Sequence, residues 1–229
     1  MDADIDIAAV ATLVGDPARA RMLTALMDGR ARTAKELAYG AGITPQTVSS
    51  HLSKLLRARL VTMERQSRHR YFRLAAPSVG HAIEALMAVS PARSRAAASA
   101  GPLDGLRLAR TCYDQLAGRL GVSVTDAMVR RRILRPAGRD FLLTASGARL
   151  LGRLGVDVQK TRGERRAFAR QCLDWSERRA HLAGALGAAV ARRCLDLRWA
   201  NFVGEERTLA LTPQGRRGLR KWFGIRWSG

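Results

Sequence analysis

Two short segments, Ala109-Arg110-Thr111-Cys112-Tyr113-Asp114 and Ala169-Arg170-Gln171-Cys172-Leu173-Asp174, repeat the pattern Ala-Arg-x-Cys-x-Asp. Thiolates at Cys112 and Cys172, joined by Asp114, Asp174 and His181, would select a soft metal ion or metalloid. Thiolates of lowered pKa would respond instead to oxidants or reactive sulfur. A third reading needs no ligand, because cysteine is also a small core hydrophobe and repeats keep equivalent positions for packing. Cys194 has no counterpart in the first copy and reads as packing. Trp175, Trp199, Trp222 and Tyr113 could line a mostly apolar pocket for an organic ligand, although aromatics at helical spacing also build cores. The stretch from Asp174 through Trp175 to His181 interrupts otherwise matching copies, and insertions often carry a site; its charges equally suit a solvated face.

The matching continues on both sides of this interruption. Leu116-Ala117-Gly118-Arg119-Leu120-Gly121 parallels Leu182-Ala183-Gly184-Ala185-Leu186-Gly187, and Leu143-Thr144-Ala145-Ser146-Gly147 parallels Leu211-Thr212-Pro213-Gln214-Gly215. Each copy, about 106–156 and 166–225, reads as helix, helix, short strand, helix, with Thr as the last helix's cap. Two copies are too few for a solenoid and would pack as a pseudo-twofold pair around one core. The boundary before them falls in a segment poor in large apolar residues, ARSRAAASAGP. The expected organisation is a first domain at 1–91, a linker at 92–102 and a second domain at 103–229 that senses an effector. The fold class is mainly α with small β-hairpins.

Within the first domain, Asp16-Pro17 starts a helix, Thr33 caps another, and Gly40-Ala41-Gly42 turns the chain into Thr44-Pro45, where a third begins. That third helix is apolar at Val48, Leu52, Leu55 and Leu56, which leaves Gln46, Thr47, Ser49, Ser50 and Lys54 on other faces. Small polar groups near a helix N-terminus are what base-edge contact in a major groove requires. Leu60–Glu64 and Arg70–Leu74 form a hairpin with the polar, basic tip Gln66-Ser67-Arg68-His69. From Lys54 to Arg73 there are seven basic groups and one acidic group, a footprint for phosphates. A solvated amphipathic helix explains the polar face alone, but not the turn and basic hairpin that accompany it.

The ordered run DPARARMLTALMDG, TAKELAYGAGITPQTVSSHLSKLLRARLV and a basic hairpin ending RYFRL resembles the winged helix-turn-helix of the ArsR/SmtB repressors, over residues about 7–90. The resemblance implies a homodimer that places two such helices in successive major grooves of an operator and is released by an effector. By position, Gln46, Thr47, Ser49, Ser50 and His51 would face bases or nearby phosphates, and Arg68, His69 and Arg70 would form the wing. His51 has a second reading, as a buttress for the helix. A family metal site with Cys-x-Cys before the turn has no equivalent here, because Arg30–Ala38 contains no cysteine. His81-x-x-Glu84 matches half of another site and does not complete a tetrahedral zinc shell.

The composition agrees with a polyanionic partner: 40 Lys and Arg oppose 19 Asp and Glu among 229 residues, a net charge of +21. Residues 1–91 hold 12 basic and 8 acidic groups and residues 92–229 hold 28 and 11, so the helix-turn-helix lies in the less basic part. That distribution leaves room for an alternative, a constitutive or architectural nucleic-acid binder without an effector, which would show steep salt dependence and little sequence discrimination. Three widely spaced cysteines argue for a reducing compartment, and Asp2, Asp4 and Asp6 stand where an export signal would need basic residues; a cytoplasmic location without membrane contact is expected. No phosphate loop, dinucleotide fingerprint, nucleophile elbow or His-Glu-x-x-His is present, and the spacing of Cys172 and His181 does not require a thiol–imidazole pair, so an enzyme is not expected.

Overall fold

Helix starts in the first half carry the caps that the sequence marks for them. The structure is a computed structural model that describes residues 6–66, 69–90, 103–203 and 207–228. The chain divides into two compact units, one through Glu84 and the other from Asp104 onward. The expected linker, 92–102, lies outside the described residues.

In the first unit, α1 (Ile7–Gly15) is followed by Asp16, whose side chain accepts from the Arg19 amide and caps α2 (Pro17–Ala25), with Pro17 in the first turn. After β1 (Arg32–Thr33), Thr33 and Glu36 form a reciprocal capping box on α3 (Ala34–Ala41), which Gly42 ends at φ 66°. Thr44 then caps α4 (Pro45–Arg57). Arg59, at φ 54°, turns the chain into β2 (Val61–Gln66) and β3 (His69–Leu74), which pair antiparallel with β1 on the outer side of β3, and α5 (Pro77–Val89) follows. Met22, Leu23, Leu37, Val48, Leu52, Leu55, Val61 and Phe72 are buried. The apolar stripe of α4 is therefore committed inward, and its other face is left to solvent.

The second unit departs from the reading helix, helix, short strand, helix. Its first copy runs from α6 (Asp104–Leu108) through β4 (Arg110–Cys112), β5 (Gln115–Ala117), α7 (Gly118–Arg130), β6 (Leu134–Ala137), β7 (Asp140–Leu143) and α8 (Ala145–Leu154) to α9 (Val158–Arg162). The second copy has β8 (Arg170–Leu173), β9 (Ala180–Ala183), α10 (Gly184–Asp196), β10 (Ala200–Phe202), β11 (Leu209–Leu211) and α11 (Pro213–Phe223). The segment expected as the opening helix of each copy is a hairpin. Its residues carry no strong strand preference, and pairing with the other copy overrides their local propensity.

That pairing is reciprocal. The opening hairpin of the second copy extends the later hairpin of the first into a four-stranded sheet, β6-β7-β8-β9. The Phe141 amide donates to the Ala169 carbonyl at 2.8 Å and Gln171 to Arg139 at 2.9 Å. On the opposite side the same pattern recurs, with Leu209 donating to Ala109 at 2.9 Å and Thr111 to Arg207 at 2.9 Å, around a bridge between Arg110 and Thr208. One apolar core, including Leu120, Met128, Leu151, Leu186, Trp199 and Phe223, draws on both copies. The two copies thus exchange backbone hydrogen bonds on two sides of one core.

A smaller motif occurs three times among the described residues. Helices α4, α7 and α10 each span 13 residues and are followed, after one capping residue (Ala58, Arg131 or Leu197), by an arginine of positive φ, Arg59 (54°), Arg132 (57°) or Arg198 (52°), and then by a hairpin. In each case the next residue's amide, from Leu60, Ile133 or Trp199, returns to a carbonyl five residues back, on Leu55, Met128 or Cys194. The left-handed residue closes the helix and sets the angle of the hairpin.

Candidate DNA interface and thiol cluster

On α4, Gln46, Thr47, Ser49, Ser50 and Lys54 are all exposed. Gln46, Ser50 and Lys54 follow at intervals of four and therefore lie along one stripe. The Thr47 hydroxyl lies 2.9 Å from that of Thr44, and the Ser49 hydroxyl donates to the Pro45 carbonyl at 3.2 Å, so these two groups are held by the helix itself. His51 differs from the expectation that it faces DNA. Its ring turns toward α2, with Nδ1 3.2 Å from Arg19 Nη1 and 3.9 Å from Asp16 Oδ1, and its side chain is only 14% exposed. The same Arg19 also donates to the carbonyls of Leu13 and Thr12, which makes it the hub that ties α1, α2 and α4 together. Asp16 titrates below its ordinary value of 3.8: the bond from the Arg19 amide acts most strongly, partial desolvation opposes it, and the charges of Arg19 and His51 assist.

His69 and Arg70 are exposed on β3, whereas Arg68 lies outside the described residues. Cross-strand register places exposed Arg65 directly opposite Arg70. Like charges in that position are unfavourable unless an anion lies between or above them. Arg65 is a wing residue that composition alone did not single out; its signal is the tip Gln66–His69, which fixes the register.

In the second unit, the structure brings Cys112, Cys172 and His181 together, with one ligand atom from each lying within 4.8 Å of the others. Cys172 and His181 are cross-strand partners on β8 and β9, and Cys112 reaches them from β4. The remaining expected site residues stand elsewhere. Asp174 is fully buried, where one carboxylate oxygen accepts from the Gly118 amide at 2.7 Å and from Arg110 at 3.0 Å. Its other oxygen accepts from the Ser176 amide and hydroxyl and from the Glu177 amide. Burial works to raise the Asp174 pKa, but the Arg110 charge and these hydrogen bonds together outweigh it and hold the carboxyl below 3.8. Asp114 pairs instead with Arg166 at 2.8 Å near the surface. Trp175 packs under the guanidinium groups of Arg110 and Arg107, 4.9 and 5.7 Å from its ring centre. Among the described residues the aromatics stand in different places: Trp199 lies in the core against Phe223, Tyr113 lines a cleft beside Cys172, and Trp222 lines another.

Gln115 is the residue that the repeat places beside this cluster. Aligning Leu116-Ala117-Gly118 with Leu182-Ala183-Gly184 sets Gln115 on His181, just as Cys112 is set on Cys172. The registers agree, since Cys112 pairs with Gln115 as Cys172 pairs with His181. Among the described residues, a cleft of about 680 Å³ lies beside the cluster, lined by Tyr113, Gln115, Arg139, Arg170, Gln171 and Cys172 together with four further residues.

A helix-turn-helix domain model matches residues 14–64. A relative from Bacillus subtilis, described as the uncharacterized HTH-type transcriptional regulator YdfF, is 41% identical over 222 residues, covering 96% of this chain and 98% of the relative. The chain belongs to the HTH-type transcriptional regulators. It is accordingly a DNA-binding regulator whose reading unit is a winged helix-turn-helix. Solved structures similar to part of this regulator include the transcriptional repressor BigR from Xylella fastidiosa, at 22% identity over 38% of this chain and 89% of that one, with a TM-score of 0.35. The cadmium metal-sensor CMTR from Mycobacterium tuberculosis is 29% identical over 42% of this chain and 98% of its own, with a TM-score of 0.33.

The cysteines of this regulator differ in setting. Cys194 sits 3% exposed in the core, and burial pushes its thiol up to about 12. Alkylation of the reduced, folded protein at mildly alkaline pH should modify Cys172 first and Cys194 only after unfolding, as mapped by peptide mass spectrometry. Early labelling of Cys194 would contradict its core placement.

Proposed function

We propose that this regulator is an ArsR-type repressor that binds a palindromic operator as a homodimer in the cytoplasm, and that its second unit receives a small effector that alters operator affinity. The observation that carries the reading is the exposed stripe Gln46, Ser50 and Lys54 beside a wing bearing Arg65, His69 and Arg70. Polar side chains that can both donate and accept read base edges, while the lysine and wing arginines hold phosphates and fix the register.

The test is fluorescence anisotropy of the purified, reduced protein with duplexes from its own upstream region and with random duplexes, across a salt series. A specific repressor should bind its operator at least about 1,000-fold more tightly than random DNA. Equal affinity for both duplexes, with a steep salt slope, would sink the reading and leave the architectural alternative suggested by the basic residues of 92–229.

A further inference from the structure

The cluster of Cys112, Cys172 and His181 belongs to the second unit, whereas the helix-turn-helix model matches only residues 14–64. We propose that these three side chains bind a single thiophilic divalent d10 cation, zinc or cadmium in chemistry, with the fourth position open to the neighbouring cleft. This names the effector class for the second unit and rests on the repressor reading only for its consequence on DNA.

The donor set points to this ion class. Two thiolates and one imidazole suit a borderline-soft cation, and no carboxylate is among the atoms gathered there, which disfavours calcium and magnesium. Around such an ion, bonds of about 2.3 Å to sulfur and 2.0 Å to nitrogen place ligand atoms about 3.5–3.8 Å apart. The present separations, all within 4.8 Å, need only a contraction that side-chain rotation can supply. The ligands stand on strands, where the ladder between Cys172 and His181 fixes their spacing. Cys112 is 9% and His181 1% exposed, so two ligands are sheltered, while Cys172 is half-buried and lines the cleft by which an ion would enter.

The pseudo-twofold relation strengthens the assignment. The two cysteines occupy equivalent positions, and Gln115 and His181 occupy the other equivalent pair. Where the first copy holds the amide of Gln115, the second holds the imidazole of His181, a third strong metal ligand beside the two thiols. Arg139 and Arg170 line the cleft beside Cys172. On binding, each thiol releases one proton to solvent as its sulfur–metal bond forms, so affinity should rise with pH.

The test uses the full-length protein, reduced and stripped of metal, titrated with cobalt(II) as a spectroscopic probe and then with zinc and cadmium as competitors. The expected result is one ion per chain, a thiolate-to-cobalt charge-transfer band with tetrahedral ligand-field absorption, and displacement by either competitor. Cys112→Ser and Cys172→Ser should each abolish the charge-transfer band of the site, and His181→Gln should weaken binding by at least about 10-fold. Cys194→Ser should bind as the unaltered protein does. Because a variant in a buried cluster can fail to fold, the unaltered protein supplies a second readout: cadmium should slow alkylation of Cys172. Absence of the band, its persistence in both cysteine variants, or formation of a Cys112–Cys172 disulfide without any metal binding would overturn the site. Operator binding by the metal-free protein is measured in parallel, so failure of the repressor reading registers as lost DNA specificity with cobalt binding intact, and failure of the metal site as the reverse.

Discussion

Asp174→Asn should destabilise the second unit by about 3–5 kcal/mol, the usual cost of removing one partner from a buried ion pair. Arg110, 1% exposed, would lose the Asp174 carboxylate to which it donates, and the Gly118 amide would lose its charged acceptor. The control is Asp114→Asn, the same position in the other Ala-Arg-x-Cys-x-Asp segment. Its side chain is 47% exposed and its partner Arg166 38% exposed, so a loss below about 1 kcal/mol is expected. Urea unfolding followed by circular dichroism would measure both. Equal losses would show that the buried pair does not hold the unit together. The pH dependence has a definite sign: because the folded Asp174 carboxyl lies below 3.8, its contribution is fully present above that value and disappears as the pH falls through the lower folded value. The asparagine variant should lack this component of acid unfolding.

Gln46→Ala and Ser50→Ala should each lower operator affinity by about 10- to 100-fold while leaving binding to random DNA nearly unchanged, since a well-placed base contact contributes about 1–3 kcal/mol of discrimination. Both side chains are exposed, so thermal stability should stay within about 0.5 kcal/mol of the parent. Lys54→Ala should behave differently, weakening all duplexes alike and reducing the salt slope by about 1. Anisotropy with operator and random duplexes separates the two patterns. If Gln46 and Ser50 variants lose both kinds of binding equally, the stripe contacts only phosphates.

The first unit was legible because its signals are local. Asp16-Pro17, Thr33 with Glu36, Gly42 and Thr44-Pro45 each satisfy backbone groups within three residues of themselves, so their meaning does not depend on distant chain. The opening hairpins of the second unit were not legible for the opposite reason. The carbonyls of Ala109 and Ala169 accept from the amides of Leu209 and Phe141 on the other copy, and no local pattern records those bonds. The same distinction divides the candidate ligands. Cys112, Cys172 and His181 were visible from the repeat, but Asp174 was grouped with them because sequence adjacency cannot show that its carboxylate turns the other way, into Arg110 and the Gly118 amide. His51 shows the limit at the scale of one helix turn: it shares the polar run of α4 yet faces Arg19.

The crossed hairpins carry a consequence for how such a unit arises. A chain with only one copy would present unpaired edges at both hairpins, and a second identical chain would close them by the same bonds. That assembly would have a true axis, with identical residues at both positions now held by Gln115 and His181. Joining the copies in one polypeptide removes the symmetry requirement, so that one side of the axis can keep an amide while the other acquires an imidazole.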